Sequence, residues 1–177
     1  MPPLSLLFSA AGALLRTGLL FVLPAVLPAQ VPGLWFLADI EPGPGSSSPR
    51  GFVTYGERAL FFARTLADGE ELWVTDGTAA GTRLFYEFLP GPAPGSGTAA
   101  VAVAGSVVFA IVNQEVWVLE GTPPRARKLI TPPTASVQGP LVVAGAQVFF
   151  PAWSSAHGLE LWCSDGTVAG TRMVRDV

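Results

Sequence analysis

The sequence predicts an all-β fold, a β-propeller-like array of about three four-stranded blades that follows an N-terminal apolar segment. Three observations support this prediction. A Glu-Leu-Trp-x-x-Asp-Gly-Thr signature recurs at nearly constant spacing. Short apolar runs alternate with glycine- and proline-containing breaks. The region after the apolar segment shows no helical period. Since propellers typically have four to eight blades, three blades predict an incomplete or partial propeller.

The composition supports short strands separated by turns. Half of the 177 residues are apolar and 13% are charged, and the chain has 20 glycines and 17 prolines. Such a glycine and proline content also occurs in low-complexity disorder. Here, however, these residues separate dense apolar runs, such as Ala59–Ala63 and Gln147–Phe150. The pattern therefore indicates a packed all-β domain.

The charge and the cysteine content exclude two classes of protein. The formal net charge is −3, whereas a nucleic-acid-binding protein normally presents a basic face. The one basic cluster, Arg125–Lys128, is interpreted as a solvated strand end. A single cysteine, Cys163, excludes an intrachain disulfide framework. Because Val74 and Val118 occupy equivalent places in the repeat, we expect Cys163 to be buried; an intermolecular disulfide is the alternative.

The N-terminal segment differs from the rest of the chain. Its strongest apolar run, Gly18–Leu23, follows the single charge of Arg16. We interpret residues 1–29 as a signal peptide cleaved after Ala29, or as an uncleaved anchor, and residues 30–34 as a short linker. A helix in the core of the domain is the third interpretation. The repeats then occupy residues 35–177, in units of about 35–88, 89–130 and 131–177.

The repeat is clearest in two copies. Glu71–Arg83 recurs as Glu160–Arg172, and a degenerate copy, Glu115–Arg127, lies between them. The tryptophans of the three copies are 44 and 45 residues apart. The residues that define the repeat are Glu71, Trp73, Asp76, Gly77, Thr78, Arg83, Glu115, Trp117, Gly121, Arg127, Glu160, Trp162, Asp165, Gly166, Thr167 and Arg172.

Each unit is predicted to form four short strands. In the first unit these strands are Phe52–Tyr55, Ala59–Ala63, Glu71–Thr75 and Thr82–Phe88. Strands with apolar residues on both faces are covered on both faces. A unit of 40 to 50 residues with four strands has the size of a propeller blade. A further strand, Trp35–Ile40, is predicted at the front and corresponds to Arg172–Val177 at the end.

The signature resembles the bacterial ELWxxDGT repeat family, whose members are exported proteins with tandem copies of this motif. The resemblance covers about residues 35–177. The middle copy departs from the pattern, because Glu120 replaces aspartate, Pro123-Pro124 replace two alanines, and the closing Gly-Thr is absent. The resemblance implies a propeller-like repeat scaffold and carries over no catalytic residue.

Structural roles are predicted for the signature residues. The tryptophans are expected to pack in the core, with a ring of exposed, ligand-stacking tryptophans as the alternative. The Asp-Gly-Thr sequences predict tight turns. Calcium binding is the alternative for an acidic turn, but one aspartate per turn supplies too few ligands. The repeated glutamates and arginines are predicted to pair across strands: Glu71 with Arg83, Glu115 with Arg127 and Glu160 with Arg172.

No catalytic set is evident. The only histidine, His157, lies in a predicted surface loop, and no G-x-S-x-G sequence is present. A Ser-His-Asp hydrolase is therefore not predicted. A glycoside hydrolase would need two carboxylates facing one cleft. Outside the repeated positions, Glu57, Asp68 and Glu70 are the candidates.

The functional prediction is an exported, non-catalytic repeat scaffold, secreted or at the cell surface, that binds a protein or a polysaccharide. A glycoside hydrolase-like propeller and a structural component of the envelope or matrix are the alternatives. No cofactor, metal or nucleic acid is expected, and membrane contact is expected only through an uncleaved N-terminal segment. For the low blade number there are three explanations: a fragment of a longer protein, a homodimer with six blades, and an open array.

Overall fold

The computed structural model describes residues 36–92, 99–129, 136–137 and 139–176. The predicted signal peptide and the linker at 30–34 lie outside the described residues. The chain divides into the units Met1–Leu34 and Trp35–Val177, and the description concerns the second. The described residues form thirteen β-strands and no helix, which confirms the predicted all-β class.

The strands form three antiparallel sheets, each folded from one continuous stretch of chain. The first sheet contains β1 (Arg50–Tyr55), β2 (Arg58–Thr65), β3 (Gly69–Thr75) and β4 (Arg83–Tyr86). The middle sheet contains β5 (Ala100–Ala104), β6 (Val107–Val112), β7 (Glu115–Glu120) and β8 (Arg125–Lys128). The third sheet contains β9 (Ser136–Val137), β10 (Val142–Ala144), β11 (Gln147–Ser154), β12 (Gly158–Ser164) and β13 (Arg172–Arg175).

Within each sheet, the spatial order of the strands follows their order in the chain, with β9 added beside β11. Consecutive antiparallel strands can be joined by tight hairpins, which explains the regular glycine-containing breaks. The strands β1, β5 and β10, which begin the hydrogen-bonded order of their sheets, lie close together, since β1 contacts β5 and β5 contacts β10. The strands β4, β8 and β13 each pair with one neighbour only.

The middle sheet packs between the other two. Alternate residues of a strand point to opposite faces, and both faces of β6 are apolar. Val108 and Ala110 join a cluster with Leu60, Phe62 and other residues of the first sheet. Phe109 and Ile111 belong to a second cluster, which includes Val148, Phe150 and Trp162 of the third sheet. The core therefore consists of two sheet-to-sheet interfaces.

The central hairpins differ in length. The loops between β2 and β3 and between β11 and β12 have three residues, each followed by a glycine with positive φ, 75° at Gly69 and 73° at Gly158. In the middle sheet, β6 and β7 are joined by Asn113 and Gln114 alone, with φ of 52° and 65°. The segment β9 lies beside this short hairpin, because the Val137 amide donates to the Gln114 carbonyl at 2.9 Å.

The short hairpin changes how the middle repeat aligns with the other two. The structure places Phe61 opposite Trp73, Ala110 opposite Trp117 and Phe150 opposite Trp162. An alignment that matches the apolar pair Val108-Phe109 with Phe61-Phe62 is therefore wrong by two residues, because Ala110 is the structural equivalent of Phe61.

Two predicted strands differ from the structure. The predicted strand Trp35–Ile40 is wrong over its described part, since residues 36–40 form no strand. This segment instead lines a cleft of about 260 Å³ with Phe52 and Phe61 on the outer face of the first sheet. The strand β4 ends at Tyr86 rather than Phe88, since the Phe88 amide donates to the Glu71 side chain instead of to a neighbouring strand.

Candidate functional site

The Asp-Gly-Thr turn of the first sheet is a closed hydrogen-bond network. The Asp76 Oδ1 atom accepts from the Thr78 backbone amide at 2.9 Å and from the Thr78 hydroxyl at 2.7 Å. The Thr78 Oγ1 atom accepts in turn from the Gly81 amide at 2.9 Å. The Thr82 hydroxyl donates to the Thr78 carbonyl at 2.7 Å. Gly77, with φ of 87°, supplies the left-handed backbone that the turn requires.

The turn of the third sheet repeats this network almost atom for atom. The Asp165 Oδ1 atom accepts from the Thr167 amide at 2.8 Å and from its hydroxyl at 2.7 Å. The Thr167 Oγ1 atom accepts from the Gly170 amide at 2.9 Å, and the Thr171 hydroxyl donates to the Thr167 carbonyl. Gly166 has a φ of 91°. The signature therefore encodes one defined turn.

The closing glycine of the signature has a steric reason. A Cβ atom added at Gly81 would lie 1.9 Å from the Asp76 Oδ1 atom, and one at Gly170 would lie 2.1 Å from the Asp165 Oδ1 atom. Both aspartates have lowered pKa values, because the Thr78 and Thr167 donors stabilise the ionised carboxylates. The carboxylates are thus committed to the turns as hydrogen-bond acceptors.

The middle turn has a different construction. Glu120 pairs directly with Arg125, so that four residues connect β7 and β8, and Gly121 has a φ of 85°. The guanidinium of Arg127 donates to the Gly166 carbonyl in the third-sheet turn. A Cβ atom at Gly166 would lie 3.2 Å from Val107 of the middle sheet. The third-sheet turn therefore packs against the middle sheet.

The predicted Glu–Arg pairs are wrong. The strand register places Arg83 opposite Val74, Arg127 opposite Val118 and Arg172 opposite Cys163. In every copy the glutamate lies three residues earlier on its strand, which is about 10 Å away along the strand direction. The arginine positions repeat faithfully, but the strand offset separates them from the glutamates.

Glu71 instead binds the chain that leaves the first sheet. Its Oε2 atom accepts from the Phe88 amide at 2.6 Å and its Oε1 atom from the Leu89 amide at 3.0 Å. The residue is 1% exposed. Burial raises the pKa of Glu71 to about 7, although the two backbone donors act in the opposite direction. The carboxylate therefore holds the segment between β4 and β5 in place.

The equivalent glutamates have different surroundings. Glu115 lies 2.8 Å from the Lys128 ammonium at a half-exposed position, and the same ammonium lies 5.2 Å from the centre of the Trp117 ring. Glu160 is 7% exposed. The same signature position thus supplies a buried carboxylate that accepts from backbone amides in the first copy, and a surface ion pair in the middle copy.

Two of the three signature tryptophans lie at the sheet-to-sheet interfaces. Trp162 is buried in the cluster between the middle and third sheets. Trp117 is half-buried against the first sheet and contacts Phe88 edge to face, with ring centres 5.4 Å apart. Trp73 is half-buried on the outer face of the first sheet. Their positions follow the stacking order of the sheets.

The remaining candidates of the sequence analysis do not form one cluster. Cys163 is buried, and its Sγ atom lies 3.5 Å from an Arg172 nitrogen. His157 is exposed in the β11–β12 loop, with Nδ1 3.0 Å from the Asp176 carboxylate. Of the carboxylates considered for glycoside hydrolysis, Asp68 accepts from the Thr65 hydroxyl and Glu70 from Arg50, while Glu57 is exposed in the β1–β2 turn.

A polar groove that the sequence analysis missed lies beside the first sheet. We call it the serine–arginine groove; its lining residues are Glu41, Ser46, Ser48, Arg50, Arg64 and Glu70. Arg50 and Glu70 form a bidentate pair, with both N···O distances at 2.7 Å. The Ser46 and Ser48 hydroxyls lie 3.2 Å apart. The run Ser46-Ser47-Ser48 was the sequence signal for a polar surface here.

The backbone of the groove is fixed to the sheet at two points. The Arg64 amide donates to the Ser47 carbonyl at 2.9 Å, so that the serine segment continues the line of β1 alongside β2. The buried carboxylate of Glu41 accepts from the Leu66 amide at 2.8 Å. The side chains of the groove therefore project from a backbone that these two hydrogen bonds fix in place.

No group of three or more histidine, cysteine, aspartate or glutamate residues is placed to hold a metal ion in the described ranges. Among the same residues, no helix has the length and apolar character needed to span a membrane. Compared with known proteins, the chain matches no family model and no curated protein.

Proposed function

We propose that this chain is an exported, non-catalytic repeat scaffold that binds a hydroxyl-rich polysaccharide in the serine–arginine groove. The observation that carries the proposal is the groove itself, which holds two serine hydroxyls, two guanidinium groups and two carboxylates side by side.

The chemistry of the groove suits sugar hydroxyls. Each serine hydroxyl both donates and accepts hydrogen bonds, as a sugar hydroxyl does. The Arg50–Glu70 pair fixes a donor and an acceptor side by side, and a bidentate geometry restrains both side chains. A polar ligand would thus meet groups that are already oriented, which lowers the entropy cost of binding.

The scaffold is proposed to be a partial β-propeller, in agreement with the resemblance to the ELWxxDGT repeats. Three features support this arrangement. Each sheet has the size of a blade. The sheets pack face to face through two apolar clusters. The edge strands β1, β5 and β10 lie next to one another in sequence order, as the innermost strands of adjacent blades would.

Export to the cell surface or beyond is part of the proposal. It rests on the apolar segment Gly18–Leu23 that follows Arg16, with Ala29 as the predicted cleavage point. Expression of the whole chain in a bacterial host tests it. We expect a product that begins after Ala29 and lies outside the cytoplasm; an unprocessed chain in the cytoplasm would contradict export.

Polysaccharide binding is tested with a panel of neutral and acidic bacterial polysaccharides and calorimetry. We expect binding to at least one neutral polysaccharide. Arg64→Ala removes a guanidinium from the groove and should weaken this binding at least about tenfold, as expected for a lost hydrogen bond to a charged group. Arg58→Ala is the matched control, because Arg58 is exposed on the same strand and outside the groove.

Three outcomes would contradict the polysaccharide proposal. The first is the absence of binding to any member of the panel. The second is binding that Arg64→Ala and Arg58→Ala weaken equally, which would indicate a general charge effect rather than a site. The third is recovery of a protein ligand whose binding depends on Arg64, because the groove would then recognise a polypeptide.

A further inference from the structure

One cation of the serine–arginine groove has no charged partner among the described residues. Glu70 lies directly opposite Arg64 in the register of β2 and β3. Both oxygens of Glu70 nevertheless accept from Arg50, at 2.7 Å each. In the described ranges, no ion pair and no side-chain hydrogen bond holds the exposed guanidinium of Arg64. The bidentate pair therefore neutralises Glu70 and leaves the positive charge of Arg64 to a ligand.

The second carboxylate of the groove, that of Glu41, is shielded. The residue is 8% exposed, and its Oε2 atom accepts from the Leu66 amide at 2.8 Å. Gly45 lies against the same side chain, since a Cβ atom added at Gly45 would lie 2.7 Å from the Glu41 Cγ atom. A ligand in the groove therefore meets an exposed cation, whereas the Glu41 carboxylate is buried and bound to the backbone.

The serine segment places a hydroxyl donor beside this cation. Ser48 and Arg64 line both halves of the groove, each with a volume of about 300 Å³. The Ser46 and Ser48 hydroxyls lie 3.2 Å apart, and the Ser48 amide donates to the Ser46 Oγ atom at 3.3 Å. When one hydroxyl donates to the other, the second keeps its own proton for a ligand. The groove thus offers a guanidinium and a hydroxyl donor together.

This combination of donors suits a carboxylate. A guanidinium is planar and presents its N–H groups as a fork, which matches the two oxygens of a carboxylate. Hydrogen bonds between ionised partners are roughly twice as strong as neutral ones. A neutral sugar hydroxyl has one oxygen and no charge, so it uses only part of what Arg64 offers. The groove therefore favours a sugar that carries an acid group.

We propose that Arg64 makes the serine–arginine groove selective for acidic sugars, because it binds a uronic acid carboxylate together with Ser48. This inference rests on the proposed binding of a polysaccharide and names the class of sugar. A preference for acids has to come from the groove itself. The whole chain carries a formal net charge of −3, which opposes the approach of a polyanion.

Calorimetry of the full chain with matched polysaccharides tests the selectivity. The probes are polygalacturonate, polyglucuronate and polymannuronate, each compared with its methyl ester, which keeps the sugar and removes the charge. We expect at least one acid to bind at least about tenfold more tightly than its ester, since a charge-assisted hydrogen bond replaces a neutral one. Dextran sulfate and dextran form a further pair, which distinguishes a sulfate from a carboxylate.

Three variants locate the preference. Arg64→Gln keeps a polar side chain without the charge and should reduce the preference for acid over ester to less than about twofold. Arg64→Lys keeps the charge without the planar fork and should retain part of the preference. Arg58→Gln is the matched control and should behave as the wild type, because Arg58 is exposed on β2 and outside the groove. Near-ultraviolet circular dichroism verifies the fold of each variant.

Three results would overturn the proposal. One is a wild type that binds polysaccharides but prefers no acid to its ester, in which case the proposed function would stand without the selectivity. A second is a preference that Arg64→Gln leaves intact, or that Arg58→Gln reduces equally, because the charge would then act from outside the groove. A third is binding of dextran sulfate as tight as that of the best uronate, which would indicate recognition of any anion. Absence of binding to every neutral and acidic polysaccharide would contradict the proposed function as well.

Discussion

The first and third copies of the repeat share a turn that the middle copy lacks, although all three copies form similar sheets. In the outer copies an aspartate, a threonine and a glycine close the turn through the same hydrogen bonds. In the middle copy a shorter connection replaces them. The arginine nevertheless lies opposite the same strand position in all three copies. The strand register is thus independent of the turn chemistry.

The comparison also shows which features hold the middle sheet in place. It lacks the closed turn and the buried glutamate of the first sheet. Instead, both of its faces are covered, and Phe109 and Ile111 are 0% exposed. Burial of apolar side chains is the dominant stabilising contribution in folding. Packing by the neighbouring sheets therefore compensates for the closed turn and the buried glutamate that the middle copy lacks.

The largest expected effect tests this role of packing. Phe109→Ala should destabilise the protein by about 3–5 kcal/mol, because it empties a space between the middle and third sheets. Phe52→Ala, in the first sheet, should cost no more than about 1 kcal/mol, since Phe52 is 59% exposed. Urea unfolding followed by tryptophan fluorescence measures both free energies.

The decisive quantity is the ratio of the two losses in the free energy of unfolding. Equal costs for Phe109→Ala and Phe52→Ala would mean that the middle sheet is no better packed than the end of the stack. Unchanged urea m-values would show that both variants unfold as the wild type does.

A smaller effect distinguishes the glutamates of the first and middle copies. The pKa of Glu71 is raised to about 7 in the folded protein from an ordinary value of 4.5. Between these two values the folded state holds a proton that the unfolded state has lost. The contribution of protonated Glu71 to the free energy of unfolding is therefore fully present below about pH 4.5 and is lost as the pH rises through 7. The change should be on the order of 2–3 kcal/mol.

Two glutamine variants separate this contribution from the rest. Glu71→Gln should remove the decline in stability between pH 5 and pH 8, because the amide does not titrate. Glu115→Gln should leave the decline in place, since Glu115 forms a half-exposed pair with Lys128 and such pairs contribute about 0–1 kcal/mol. Urea unfolding at a series of pH values measures both profiles. A decline that persists in Glu71→Gln would contradict the assignment.

The sequence was sufficient for the class of fold and for much of the repeat. The alternation of apolar strands with glycine turns gave three four-stranded antiparallel units, and the Asp-Gly-Thr turns follow from local backbone chemistry. The hairpin of Asn113 and Gln114 could not be placed correctly, since two short strands with many valines allow several registers.

The partners of the charged side chains could not be predicted from one sequence. Opposite charges at fixed repeat positions suggested that Glu71 and Arg83 pair, but the register places Arg83 opposite Val74. Nothing in the sequence shows that the chain after β4 turns back so that Phe88 and Leu89 present their amides to Glu71. Likewise, the serine–arginine groove brings Ser46 and Arg64 together because the Arg64 amide bonds to the Ser47 carbonyl in a distant segment of the chain.

The smallest expected effect concerns the turns that the outer copies share. The Thr78 amide and hydroxyl hold the pKa of Asp76 below its ordinary value of 3.8, and Thr167 does the same for Asp165. In Thr78→Val the hydroxyl donor is lost and the amide donor remains. The pKa of Asp76 should therefore rise part of the way towards its ordinary value, while that of Asp165 stays unchanged. A carbon-detected NMR titration of the carboxyl groups follows both aspartates in one sample. Equal shifts at Asp76 and Asp165 would mean that the substitution acts through the whole fold; a shift at Asp76 alone would locate the cause in the hydroxyl that the signature provides.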